Sequence, residues 1–157
     1  MVKIDNRLFI GAVDDCRAGT EQLAVVHACK SPCHQQAVGY RGSLPASHPN
    51  YLALQREYDL YLNIIDPHVP LFKVETFEHF LAFARTKYNS GASLLIHCNQ
   101  GESRAPSLAL LFLAKHIGAL PDSSYEDAKQ VFERLFPAYQ PGIGIQRFLA
   151  DNWVAIQ

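Results

Sequence analysis

Excess charge is almost absent from this chain: 14 Lys and Arg face 15 Asp and Glu, a net charge of −1 over 157 residues. No bulk field therefore draws it to nucleic acid or to an anionic membrane surface. No apolar run approaches the roughly 18 residues that mark a transmembrane helix. Residues Met1 to Arg7 carry Lys3, Asp5, Asn6 and Arg7 and lack the apolar stretch of a signal peptide. Internal repeats, low-complexity tracts and Pro/Ser-rich linkers are also missing. Cysteine is sparse, at positions 16, 29, 33 and 98, too thin for the disulfide framework of a secreted protein of this length. These absences leave one domain over residues 1–157 in a reducing cytoplasm as the expectation, with no nucleic-acid or membrane partner. With 48% hydrophobic and 18% charged residues, the chain has the composition of a globular protein and the length to bury a core.

Apolar runs alternate in period along the chain. Leu8 to Ala12 predicts a short edge strand, and Leu23 to Cys29 a strand buried on both faces. Residues 30 to 50 are punctuated by Ser-Pro, Gly39, Gly42, Leu-Pro and His-Pro, and read as a long functional loop. Leu60 to Ile65 predicts a third strand, ended by Asp66-Pro67. From Val74 to Tyr88, Phe77, Phe80, Leu81, Ala84 and Tyr88 fall at helical spacing. Ala92 to His97 is the next strand, and Pro106 to Ile117 a helix apolar all round and hence buried, with Pro106 in the first turn where a missing N–H costs little. Ser123-Ser124-Tyr125-Glu126 offers a capping box for a helix with core positions Ala128, Val131, Phe132 and Leu135. A last helix is expected over Gly144 to Trp153. Alternation of this kind predicts an α/β fold with a central, largely parallel sheet flanked by helices.

The most informative segment is Leu94-Leu95-Ile96-His97-Cys98-Asn99-Gln100-Gly101-Glu102-Ser103-Arg104. A buried strand stops at a cysteine, and an apolar helix starts at an arginine. A helix N-terminus favours the thiolate form of a nearby cysteine. Loop N–H groups there can surround an oxyanion, and Arg104 can close over it with a bidentate fork. Asp66 ends another parallel strand, so its side chain opens onto the same rim of the sheet. A carboxyl group there can protonate a leaving oxygen and then serve as a base toward water.

The set resembles the cysteine-dependent protein tyrosine phosphatase superfamily, specifically the compact dual-specificity phosphatases. The matching residues are His97-Cys98, Arg104 after five intervening residues, the flanking strand and helix, and Asp66 placed 32 residues upstream of Cys98. Arg7-Leu8-Phe9-Ile10-Gly11 is similar to the first strand of that family. The resemblance implies Cys98 as nucleophile, phosphate held by Arg104 and by the loop from Asn99 through Gln100, Gly101, Glu102 and Ser103, Asp66 as general acid, and His97 as a buried support for the loop. It implies no metal or organic cofactor, and a phosphorylated protein as substrate.

Two departures stand out. Where the family usually has Ser or Thr after the arginine, this chain has Ala105; a slower second step is expected unless Ser103 or Ser107 substitutes. Tyr139-Gln140-Pro141-Gly142 occupies the place of a Pro-Asn pair, and Gln140 reads as a turn residue. Relatives acting on phosphoinositides or RNA ends carry basic residues between cysteine and arginine, whereas Asn-Gln-Gly-Glu-Ser has none and includes the acid Glu102. That favours protein phosphotyrosine, with phosphoserine or phosphothreonine as further substrates. His27, Cys29, Cys33 and His34 could in principle supply metal ligands. His27 and Cys29 alternate as strand residues, however, and no C-x2-C knuckle exists, so packing is the expected role. Tyr40, Arg41, His48 and Tyr51 are candidate rim contacts. Two other classes compete: a phosphoprotein-binding module with weak turnover, suggested by Ala105, and a rhodanese-like sulfurtransferase, recognisable by persulfide formation from thiosulfate.

Overall fold

Short runs rich in Leu, Val and Ile form the strands, and their two-residue period decides what each face of the sheet becomes. The computed structural model describes residues 1–157. It contains β1 (Val2–Asp5), β2 (Leu8–Gly11), β3 (Leu23–His27), β4 (Ala53–Gln55), β5 (Asp59–Leu62) and β6 (Ser93–His97), joined in one sheet of order β1-β2-β6-β3-β5-β4. The inner four strands run parallel, and β1 and β4 are antiparallel edges. The largely parallel sheet inferred from the sequence is thus present. The expected edge position of Leu8 to Ala12 is not: β1 covers that edge, and Val-Lys-Ile-Asp shows no apolar run because most of it faces solvent.

Five helices complete the fold: α1 (Gln35–Val38), α2 (Val74–Asn89), α3 (Arg104–Phe112), α4 (Tyr125–Leu135) and α5 (Ile143–Asn152). Helix α3 starts two residues earlier than its apolar pattern indicated, at Arg104, and runs on as a wider turn over Leu113–Ile117. The cap of α4 also differs from the expected box. Ser124 Oγ accepts from the Asp127 N–H at 3.1 Å, while Ser123 Oγ donates to the Asp127 carboxylate at 2.6 Å. No helix is long and apolar enough to cross a membrane.

Alternate residues of the parallel strands divide between two environments. Leu8, Ile10, Ala24, Val26, Leu60, Leu62, Leu94 and Ile96 join one hydrophobic cluster with residues of α2 through α5. Helix α3 lies at its centre, with every residue from Ala105 to Phe112 buried. The intervening residues, among them Val25, His27, Asp59, Leu95 and His97, lie outside that cluster although they are buried. Arg7 holds the end of α2 to the start of β6: its guanidinium donates to the carbonyls of Tyr88 (2.9 Å) and Ala92 (2.7 Å) and lies 3.9 Å from the Tyr88 ring centroid. The carboxyl ends of the parallel strands and the N-terminus of α3 therefore meet on one rim.

Candidate active site

On that rim, Cys98 follows β6 directly and is 2% exposed. Its N–H donates to the Gly11 carbonyl at 3.3 Å, and the next carbonyl, of Asn99, accepts from Val13 at 3.1 Å. The loop is thereby tied to the end of β2. Gly101 makes the turn with φ of +76°, and a β-carbon there would stand 2.9 Å from the Gly11 carbonyl oxygen. Only glycine fits both demands. In consequence the Gly101 N–H points inward and donates to Cys98 Sγ at 3.3 Å. A backbone donor and the start of α3 thus both face the Cys98 sulfur.

Arg104, the first residue of α3, turns back over the loop. One terminal nitrogen donates to the Ile64 carbonyl at 3.1 Å, the other to Asn99 Oδ1 at 2.7 Å. Asn99 is in turn fixed by donating to the Ser31 carbonyl at 3.0 Å. The third guanidinium nitrogen, Arg104 Nε, is buried and has no hydrogen-bond partner. A buried N–H without an acceptor is costly, and an anion in the loop removes the cost.

Asp66 is exposed and lies beyond Ile64 and Ile65, past the end of β5. Its carboxylate packs against the α-carbon of Gly142. The Gly142 N–H donates to Ser103 Oγ at 2.8 Å, and the Gln140 N–H to the Glu102 carbonyl at 2.8 Å. The segment 140–142 thus bridges Asp66 and the Cys98 loop. Gln100 and Glu102 side chains face solvent, and Gln140 contributes its backbone, as a turn residue does. Pro141-Gly142 as the link to Asp66 was not anticipated; its only signal in the sequence was the Pro-Gly dipeptide.

Neither serine near Ala105 is bonded to the cysteine. Ser103 Oγ accepts from the Gly142 N–H, and Ser107 Oγ bonds the Tyr139 hydroxyl at 2.8 Å, which also meets the Tyr125 hydroxyl at 3.0 Å. Burial pushes Tyr139 up to about 12 and raises Tyr125 as well.

His97 is fully buried behind the loop, and burial pushes it down to about 4. Its Nε2 lies 2.8 Å from His27 Nδ1, and His27 Nε2 donates to Asp59 at 2.8 Å. The four residues weighed as possible metal ligands, His27, Cys29, Cys33 and His34, do not converge. His34 turns away to bond Tyr40 and the Asn50 carbonyl, and Cys29 and Cys33 are joined as a disulfide. Among the candidate rim residues, Tyr40 and Arg41 line a cleft with Ser31 and Pro32. Tyr51 lines a second pocket of about 500 Å³ with Ile64, Ile65 and Lys73. His48 accepts from the Asn50 N–H and borders a further cleft away from Ser31.

No protein-family model matches the sequence, and no curated protein does. Solved structures match over nearly the whole chain. Human DUSP28 is similar at 19% identity and a TM-score of 0.67, covering 100% of this chain and 98% of its own. DUSP15 is similar at 17% identity and a TM-score of 0.67, covering 99% of this chain and 88% of its own. The human tyrosine phosphatase-like serine/threonine/tyrosine-interacting protein is similar at 17% identity and a TM-score of 0.66, covering 98% and 95%. The chain has the fold of the compact dual-specificity phosphatases.

Proposed function

We propose that the protein hydrolyses phosphate monoesters, protein phosphotyrosine above all and phosphoserine or phosphothreonine in addition, through a phosphocysteine intermediate on Cys98. The observation that carries this reading is the unpartnered, buried Arg104 Nε in a loop whose Gly101 amide already points at Cys98 Sγ. The Cys98 thiolate attacks phosphorus, and the amides from Asn99 to Arg104 with the Arg104 guanidinium hold the non-bridging oxygens. Asp66 protonates the departing oxygen, then accepts a proton from the water that breaks the P–S bond and releases phosphate. His97 stays neutral and supports the loop. The sequence between Cys98 and Arg104 brings an acid and no base, which favours a singly esterified phosphate on protein over a polyanionic headgroup.

A second reading, a phosphoprotein-binding module with weak turnover, is favoured by Ala105, with neither neighbouring serine hydroxyl bonded to Cys98. One structural neighbour is itself named phosphatase-like and interacting. Hydrolysis of an aryl phosphate by wild type and Cys98→Ser, with a chelator present, separates the two. Activity that depends on Cys98 supports the enzyme. A folded wild type that binds a phosphotyrosine peptide without turning it over supports the module.

A further inference from the structure

On the sheet face away from the helical core, four side chains converge that the reaction does not use as nucleophile, acid or anion binder. They are Cys16, after β2; His27, at the end of β3; Cys33, in the turn before α1; and His97, at the end of β6. Their ligand atoms all lie within 4.8 Å of one another. The pairing of β3 with β6 sets His27 opposite His97, and Cys16 Sγ stands 3.5 Å from His27 Nδ1. We propose that Cys16, His27, Cys33 and His97 form a structural site for one zinc-type divalent cation, directly behind the Cys98 loop.

The chemistry of the donors points the same way. Asp59 accepts from His27 Nε2 at 2.8 Å and is itself held by the Gly19 N–H at 2.9 Å. His27 therefore keeps its proton on Nε2 and turns the Nδ1 lone pair into the cluster. This is the carboxylate–histidine arrangement that orients metal-binding imidazoles. Tyr61 stacks on the His27 ring with centroids 4.2 Å apart and fixes its plane. A proton shared between His27 and His97 bridges those two nitrogens, with Cys16 Sγ beside His27 Nδ1, whereas a cation in the reduced protein engages both nitrogens and both sulfurs. Tetrahedral zinc, with Zn–N near 2.0–2.1 Å and Zn–S near 2.3 Å, requires ligand–ligand edges of roughly 3.3–3.8 Å, within reach by small side-chain rotations. Two thiolates offset the charge of the cation, as a buried ion requires. Cys16 is exposed, and a pocket of about 440 Å³ lined by Cys16, His27, Cys33 and Tyr61 gives entry.

Cys33 also contacts Cys29, so the two partnerships exclude each other. A phosphine or thiol reductant supplies two electrons and, with two protons, converts the Cys29–Cys33 disulfide to two thiols. Cys16 and Cys33 then each release a proton on binding the cation. The site belongs to the reduced protein.

The test is titration of reduced, chelator-stripped protein with Co²⁺ and Zn²⁺. Wild type, Cys29→Ser and Cys98→Ser should each bind one Co²⁺ with the thiolate charge-transfer and d–d bands of a four-coordinate site. Cys16→Ser and Cys33→Ser should lose thiolate intensity and affinity, and Asp59→Asn should bind roughly 10–100-fold more weakly. No binding by reduced wild type, equal binding by Cys33→Ser, or loss of binding in Cys98→Ser overturns the proposal. If the Cys16 and Cys33 variants do not fold, alkylation of the wild type decides. Zn²⁺ should slow modification of Cys16 and Cys33 and leave Cys98 unaffected; unprotected Cys16 and Cys33 overturn the site.

Discussion

The Asp66 carboxylate rests on the bare α-carbon of Gly142, where a methyl group would overlap Oδ1 and lie 2.9 Å from Cγ. Gly142 has φ of −59° and ψ of 152°, a conformation open to any residue, so the glycine is required by Asp66 and not by the backbone. Gly142→Ala should therefore fold normally and push Asp66 off its position. General acid catalysis is worth about 10²–10⁴-fold. We expect the loss to approach that of Asp66→Asn for alkyl phosphates and to shrink for aryl phosphates with good leaving groups. A leaving-group series checks this; an equal loss across the series excludes displacement of the acid.

Ala105 is fully buried and the hydroxyls of Ser103 and Ser107 are already bonded. In the proposed reaction the second step therefore begins with neither serine hydroxyl bonded to the leaving sulfur. Rapid-mixing assays with an aryl phosphate should show a burst of one equivalent followed by a slow steady state. Ala105→Ser should raise the steady rate and shrink the burst, at a stability cost of about 1–3 kcal/mol if the new hydroxyl is unsatisfied in the absence of substrate. A wild type with no burst places the slow step before the intermediate.

Asn99 connects Arg104 to the Ser31 carbonyl. Removing it by Asn99→Ala deletes a charge-assisted hydrogen bond, worth about 1.5–3 kcal/mol, from the guanidinium proposed to hold the anion. Inhibition by inorganic phosphate and by vanadate should weaken by roughly one order of magnitude, with the Cys98-dependent chemistry still detectable. Unchanged inhibition constants would falsify the positioning role of Asn99.

Tyr139 ionises near 10 when unfolded and near 12 when folded, because burial disfavours the phenolate. The raised value means its contribution is intact below pH 10 and is lost as pH rises from 10 through 12, by an order of about 3 kcal/mol in all. Urea unfolding of reduced protein across this window should show a steeper alkaline decline for wild type than for Tyr139→Phe. Equal slopes would mean that the Tyr139 hydroxyl is not shielded from water.

How much of this was legible in the sequence follows from the range of each interaction. Leu94 to Ile96 and the apolar run after Arg104 announced β6 and α3 because buried segments carry their pattern locally. The strand expected over Leu60 to Ile65 stops at Leu62, so Asp66 lies four residues past its end and not at it. The β1 edge was not, since Val2 to Asp5 bury little and show no period. Gly142 against Asp66, and Cys16 beside His27 and His97, depend on segments brought together only by the finished sheet. His34 stands apart from His27 and Cys33 because the turn at Lys30–His34 aims it at Tyr40.

Strand β6 lies between β2 and β3 in the sheet, and these two share no ladder of their own. During synthesis the first half of the chain thus emerges with a gap at its centre. The contact of His27 with His97 closes a separation of 70 residues, the kind of long-range pairing that slows folding. The loop after Cys98 has its anchors at Gly11, the end of β2, and at Ile64, past the end of β5, in place only once β6 inserts. The pocket around Cys98 therefore takes its shape only as the last seam of the sheet is sewn.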